Sequence, residues 1–478
     1  MKVAYRVDGY LTVFLSLILT VMISLCLMLV LGARENTRRM EIECITDISM
    51  NNILAEFHRE LLSQYDLFFI DTSYGTPYAS YKQTGAHLKE YIESNLGDEE
   101  IFLSAVYRNP LKLEADKVEI TQVSAASDEG GAVLRRQAVD IMYQRVGITY
   151  LQQVLLWVET AEEYELNTRN ILEEHKLASE ELEEWNGILA EDGETLVEIE
   201  NPGDRVVSFW EAGMLNLVIK NPDELSVKTV DLENCMINRQ RLVGTGINSY
   251  IDFADNLWDQ LIFNEYIMTY TGCYGAEKES GHFAYQTEYI LTGKDNDLEN
   301  LKDVVYKLLA IRAVANTIYL LSDSEKMELT NAAATAIATL FAIPEAAPIF
   351  QAIFVLTWVL AESIFDVSKL LEGNRVPLIK TAGEWNYGLE EVVDFDGNTE
   401  SVEEGSGLLY EDYLRIMLCF QDKEITTFRL MDLMEMDIRQ TTGNSCFRMD
   451  GCIDSVTADV HYRSRDNKTY YITRTYGY

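Results

Sequence analysis

Between Asp8 and Arg34 the chain carries no charged side chain, and the stretch Leu11–Leu31, LTVFLSLILTVMISLCLMLVL, constrains everything downstream of it. At about 1.5 Å per residue, a helix of this length spans roughly the 30 Å hydrocarbon core of a bilayer. A secretory signal peptide needs an apolar core of only about 7–15 residues followed by a small-residue cleavage site. Here the apolar run is longer and leads directly into ARENTRRM, so the stretch reads as a permanent anchor. Residues 1–9 are then a short tail, residues 10–33 a transmembrane helix, and the lipid bilayer is a partner through Leu11–Leu31.

A second pattern begins where the first stops. Met50, Leu54, Phe57, Leu61, Tyr65 and Phe68 recur at steps of three and four, and no Pro or Gly interrupts Ala33 to Ile70. That is the stripe of an amphipathic helix over residues 34–70, continuing from the anchor and ending before the turn signals of DTSYGTP. Two outlines fit. One is a pilin-type protein, in which a greasy half-helix continues into a half packed on a globular head; the other is an ordinary anchor followed by a separate helix.

Charge narrows the function classes. The chain carries −39, and because residues 1–39 hold five basic residues against two acidic ones, residues 40–478 carry −42. A field of that sign repels nucleic acid and anionic headgroups, so nucleic-acid binding and peripheral membrane binding are excluded as roles. Basic residues flank both ends of the span: Lys2 and Arg6 on one side, Arg34, Arg38 and Arg39 on the other. The expected topology places the short N-terminus in the cytoplasm and the acidic domain outside the cell membrane. Cys26 lies in the span; Cys44, Cys235, Cys273, Cys419, Cys446 and Cys452 form no CxxC pair and are expected as free thiols.

Residues 71–478 read as one acidic α+β domain, mostly helical and flanked by strands. Leu113, Ala115, Val118 and Ile120 alternate with charged residues as in a strand with one wet face. SAASDEGG (Ser124 to Gly131) is a turn, and helices are expected over 132–146, 150–190, from Leu298 to Leu321, and over 410–438. Ser322 to Glu325 reads as a capping box. The glutamate run between Glu159 and Glu184 spreads around its helix and reads as a solvated face, without metal. Pro344, Glu345 and Pro348 divide the apolar stretch Asn331–Phe365 into pieces shorter than the roughly 20 residues a crossing needs, so a buried helical hairpin is expected there. Asp394-Phe-Asp-Gly-Asn398 lacks the glycine position of a calcium loop and reads as a hairpin turn between EEVVDF and NTESVE. A C-terminal hairpin turns at Arg465–Lys468.

No catalytic pattern emerges. The five histidines are scattered, and HExxH, GxSxG, GxGxxG and phosphate-binding glycine loops are missing. The chain reads as a non-enzyme without cofactor or metal.

The opening GYLTVFLSLILTVMISLCLMLVLGAR, the run NNILAEFHRELLSQYDLFFID, and the blocks AESIFDVSKLLEGNRVPLIKTAGEW and EDYLRIMLCF with RLMDLMEMDIR together resemble an uncharacterised family of membrane-anchored proteins of Gram-positive bacteria. Genes of that family accompany tight-adherence (Tad) pilus systems. The resemblance implies a pseudopilin-like or accessory component of a pilus or other surface apparatus, with pilus-assembly proteins as partners and no catalytic residues. The alternative is a tethered extracellular binding or sensing module. Gly9 after MKVAYRVD offers a prepilin-peptidase cut before Tyr10. In most pilins a glutamate stands five residues beyond the cut, where this chain has Phe14. A major repeating subunit is therefore not expected.

Overall fold

The structure, a computed structural model, describes residues 10–97, 113–187, 199–211, 215, 219, 225–246, 256–278, 281–393, 395 and 406–478. The protein is α+β, opening on a long apolar helix and closing on a β-hairpin. Its chain folds as two units rather than as one domain following a helix: residues 1–129, 242–251 and 442–478 make the first, residues 130–241 and 252–441 the second.

In the first unit, helix α1 runs from Tyr10 to Leu54, about 68 Å at the standard rise. It stops well short of the expected Ile70. The backbone turns at Ala55–Glu56, and the His58 N–H donates to the Phe69 carbonyl at 2.8 Å. Phe57 pairs with Ile70 as an antiparallel bridge. Those bonds replace the helical ladder, and a separate helix α2 (Arg59–Tyr65) restarts under the cap of His58 Nδ1 and ends on Asp66 at φ 55°. The three-four periodicity runs on because α2 presents Leu61 and Tyr65 to the interior, although the helix itself is broken.

Strand β1 (Ile70–Asp71), helix α3 (Tyr81–Leu96), β2 (Leu113–Ala125), β3 (Cys452–Ser464) and β4 (Thr469–Gly477) complete the unit. Every pairing is antiparallel, and β3 is central, bonded to β1, β2 and β4. Val118 sits opposite Val460 and Ile120 opposite Ala458, which puts apolar side chains on one face. A bulge between Ala115 and Lys117 shifts the register. It explains why the apolar positions of β2 change from odd to even numbers along the sequence. The β3–β4 hairpin has unbroken register from Ser455↔Gly477 to Arg463↔Thr469. Its turn lies where the Arg465–Lys468 signal placed it.

The second unit is helical. Helices α4 (Asp128–Tyr143), α5 (Ile148–Glu163), α6 (Ile171–Glu183) and α7 (Asp204–Glu211) come first. They are followed by α8 (Leu257–Tyr270), α9 (Gln286–Thr292), α10 (Asp297–Ser322), α11 (Ser324–Leu340) and α12 (Ala347–Leu371). Last come α13 (Leu389–Val393), α14 (Tyr410–Cys419) and α15 (Lys423–Arg439). The stretch 150–190 is two helices, broken where Glu165 takes φ 51° and Asn170 caps α6. Residues 410–438 likewise divide, because Asp422 caps α15. The cap of α11 is Asp323 rather than Ser322, its carboxylate accepting from the Glu325 and Lys326 N–H groups. Leu389–Val393 is helical, not the strand expected of EEVVDF. Asp394, Asp396 and Asn398 lie outside the described residues.

The hairpin expected over 331–365 is present as α11 and α12, joined by the turn Pro344–Ala346, but its first arm is not buried as expected: of α11 only Thr330, Ala334 and Ala338 are buried, because only one narrow side of it packs on α12. Its second arm is longer than the charge-free piece suggested, running through Glu362 and Asp366 to Leu371. By length and composition alone, three described helices are long and apolar enough to cross a membrane: α1, α10 and Pro344–Leu371. Burial separates them. None of the apolar window of α1 is buried, against 72% for α10 and 78% for Pro344–Leu371. The latter two are apolar nearly all round because they form a protein interior.

Candidate functional site

The first candidate site lies where α1 leaves its apolar span. Gly9 is outside the described residues, and Tyr10, the first residue of α1, is 82% exposed. From Leu11 to Leu31 the large apolar side chains stand free of the protein. From Arg38 onward one side of the same helix is buried: Arg38, Ile42, Ile45, Thr46, Ser49, Met50 and Ile53. Ile42, Ile45, Met50 and Ile53 join Leu88 and Ile92 of α3 and Val456, Val460 and Tyr462 of β3 in one core. Deep in it, the Thr46 and Tyr462 hydroxyls bond at 2.8 Å.

Ion pairs fasten the helix at the point of emergence. The Arg38 guanidinium donates to Asp466 at 2.8 Å. Lys468 and Tyr470 donate to Glu35 at 3.0 and 3.1 Å. Twelve residues further along α1, Arg474 Nε reaches Asp47 at 2.9 Å, and at the far end the Tyr478 hydroxyl donates to the Leu54 carbonyl. Contacts thus advance together along α1 and β4, so helix and strand run in the same direction. Each hydrogen-bonded partner moves the pKa of its group. Asp466 raises Arg38, Lys468 holds Glu35 below the ordinary carboxylate value, and Arg38 does the same to Asp466.

Arg38 is 2% exposed, whereas the Asp466 side chain is 48% exposed. Removing Asp466 leaves a buried cation without its partner, but solvent screening of a half-exposed acid tempers the cost. Asp466→Ala should therefore destabilise the first unit modestly, with Arg38→Met less costly because it deletes the charge together with its need. Urea unfolding followed on the first unit checks this; an unchanged midpoint for Asp466→Ala would show that this ion pair does not hold the helix.

A second concentration of charge lies inside the second unit. Arg312 and Asp366, on α10 and α12, have side chains 0% and 1% exposed and pair at 2.9 Å. Lys380 bonds Asp366 at 2.6 Å and also pairs with Glu362. Arg312 further donates to the carbonyls of Pro377 and Leu378 at 2.8 Å and to the Tyr413 hydroxyl at 2.9 Å. Asn316 donates to Asp366 at 2.9 Å. Glu362 accepts from the N–H groups of Asn386 and Tyr387 at 3.0 and 3.1 Å. Two cations and two anions neutralise one another by direct ion pairing, the condition under which buried charge is tolerated. Burial pushes the Asp366 carboxyl up, and Lys380 and Arg312 more than reverse this, leaving it below its usual value.

Two further acids are held without such compensation. Burial raises Glu288 to about 7; its Oε1 accepts from the Tyr274 N–H and the Tyr410 hydroxyl at 2.9 Å, and Oε2 has no hydrogen-bond partner among the described residues. Burial, helped by nearby Glu435, raises Asp432 to about 7. Among the described residues no three His, Cys, Asp or Glu side chains converge as a metal-holding group.

The model of a family of unknown function, DUF5702, matches residues 192–464. That is more than half of the chain. The protein belongs to this family. No curated protein and no solved structure matches the chain. The DUF5702 region holds the Arg312–Asp366–Lys380–Glu362 cluster, Glu288 and Asp432, and ends at Ser464, the last residue of β3. Helix α1 precedes it. Helix α1 and the residues that fasten it, Asp466 to Tyr478, a collar around the helix, thus lie wholly outside the DUF5702 match, while the buried cluster lies wholly within it.

Proposed function

We propose that this DUF5702 protein is a membrane-anchored, non-catalytic accessory component of a Tad-type pilus or related surface apparatus, possessing a pseudopilin-like N-terminus. Its short N-terminus faces the cytoplasm, its acidic domain lies outside the cell membrane, and its partners are pilus-assembly proteins rather than nucleic acid. The observation that carries the reading is the division of α1: an apolar half wholly exposed, and a second half seated on an antiparallel sheet. That is the arrangement expected of a subunit that starts in lipid and presents a head outside it. Phe14 stands 60% exposed on the apolar half. A neutral side chain there removes both the cost of a charge in lipid and the means to pair with a neighbour's amino terminus. The role is accordingly that of a minor subunit or an uncleaved accessory protein.

Two measurements test it. Affinity capture of the detergent-solubilised protein from its own cells should bring down pilus-assembly subunits; their consistent absence would overturn the apparatus reading. Mass spectrometry of the N-terminus separates the two forms of that role. A mature terminus at Tyr10, abolished by Gly9→Leu, marks processing as a pseudopilin, whereas an intact Met1 terminus marks an uncleaved anchor.

A further inference from the structure

The side of α1 turned away from the sheet is uncharged for sixteen residues beyond the membrane. With 3.6 residues per turn, Ala33, Thr37, Met40, Cys44 and Ile48 fall within a stripe about 80° wide. All five are exposed, Met40 to 69% and Ile48 to 45%. The seven charged residues of the same interval, Arg34, Glu35, Arg38, Arg39, Glu41, Glu43 and Asp47, all point elsewhere on the helix. The opposite side is the one buried against the sheet through Arg38, Ile42, Ile45 and Ser49. The stripe also continues into the span. Eighteen residues make five turns, so Met22, Cys26 and Val30 lie directly in line with Met40, Cys44 and Ile48.

We propose that a second copy of this chain packs on the stripe, giving a parallel pair of α1 helices that begins in the lipid and continues to Ile48. The membrane supplies the argument for the occupant. Two copies anchored in one bilayer stand parallel and at the same height, so each stripe meets its own equivalent about a two-fold axis along the membrane normal. An uncharged stripe is complementary to itself. The other self-pairing route, antiparallel addition of β4 to the β4 of a second copy, would reverse α1, because α1 and β4 run together; the two anchors would then point in opposite directions. The excess of −42 beyond residue 39 opposes broad contact between domains and leaves a narrow helical seam as the place where copies meet. Confinement to one membrane raises the effective concentration that so narrow a seam requires. The inference rests on the anchor and is independent of which apparatus the chain serves.

Cys44 is the reporter, in a Cys26→Ser background throughout, because Cys26 lies on the same stripe within the span. Full-length protein in liposomes, at low protein-to-lipid ratio, is treated with a short bis-maleimide, which alkylates one thiol on each of two chains and needs no oxidant. The expected product has twice the mass of the chain and is lost in Cys44→Ser. In the Cys44→Ser background, Met40→Cys and Ile48→Cys restore it, whereas Asn36→Cys and Glu43→Cys, on the flank of the helix, do not. Met40→Glu combined with Ile48→Glu should lower the Cys44 cross-link at least tenfold and leave the thermal unfolding of both units unchanged, since both side chains stand in solvent. Equal yields at all four introduced positions, or absence of the dimer with Cys44 intact, would overturn the proposal. So would persistence of the dimer in the double-glutamate variant. In native membranes, a cross-linked product of another mass in place of the dimer would assign the stripe to a different protein and overturn it equally.

Discussion

Asp366→Asn should cost the second unit about 3–5 kcal/mol, the effect expected when one partner of a buried ion cluster is removed and the others remain charged. Asp366 stands between Arg312 and Lys380, bonded to both; without its charge two buried cations face Glu362 alone. Replacing all four charged members with apolar residues of similar volume should be far less damaging, because nothing is then left unpaired. The pH dependence follows from the depressed carboxyl of Asp366. A carboxyl whose folded pKa lies below its unfolded value of about 3.9 contributes stability that is complete above that value and is lost as pH falls through the folded pKa. Denaturant unfolding of the full chain between pH 3 and pH 7 should show this acid-side loss in the parent and its absence in Asp366→Asn. An Asp366→Asn protein as stable as the parent at pH 7 would mean that the cluster contributes nothing to holding α10 and α12 together.

The second large effect has the opposite sign. Glu288 and Asp432 are raised to about 7 from ordinary values of 4.5 and 3.8. Between those limits the folded chain keeps protons that the unfolded chain gives up, so stability falls as pH rises. At ~1.4 kcal/mol per pKa unit, each group takes about 3 kcal/mol from the second unit between roughly pH 4.5 and pH 7. The unit should therefore be most stable near pH 4–5, unusually acidic for a chain of this size. Glu288→Gln keeps the shape and removes one titration. It should halve the downward slope between pH 5 and pH 8 and raise stability at pH 8 by about 2–3 kcal/mol. A slope unchanged in that variant would show that Glu288 does not carry the proton.

The span, the α11–α12 hairpin and the C-terminal hairpin were all legible in sequence because each rests on a local signal: an uncharged run, a proline-marked turn, and a four-residue polar turn between alternating strands. Helix ends were less legible. The stripe Met50–Phe68 keeps helical spacing across a break made by the pairing of Phe57 with Ile70, a contact that periodicity does not register. EEVVDF has strand-like composition, yet its first four residues lie in helix α13, whose first turn carries Glu390 and Glu391, where acidic side chains favour the helix N-terminus. The buried cluster left a trace that composition alone could have supplied. Arg312 interrupts LLAIRAVANTIYLL, and Glu362 and Asp366 lie four residues apart as the only charged residues between Ala347 and Val367. Charges in such settings have to find one another, yet which pairs with which depends on α10 and α12 meeting side by side. The collar was less visible still, since Arg38 and Asp466 are far apart in sequence and neither looks unusual alone.

The central strand β3, made near the end of the chain, has its helical neighbour α1 near the beginning. At 5–20 residues per second, the roughly 400 residues from Leu54 to Cys452 occupy a ribosome for about 20–80 s. Throughout that interval α1 is already made, while Ile42, Ile45, Met50 and Ile53 face outward with no sheet to cover them. The second unit, contributed by the intervening chain, has the time to fold first. The first unit closes only when β3 and β4 have been made. A ribosome that stalls inside β3 would therefore leave a protein with a folded second unit and a helix whose apolar side is sticky and uncovered.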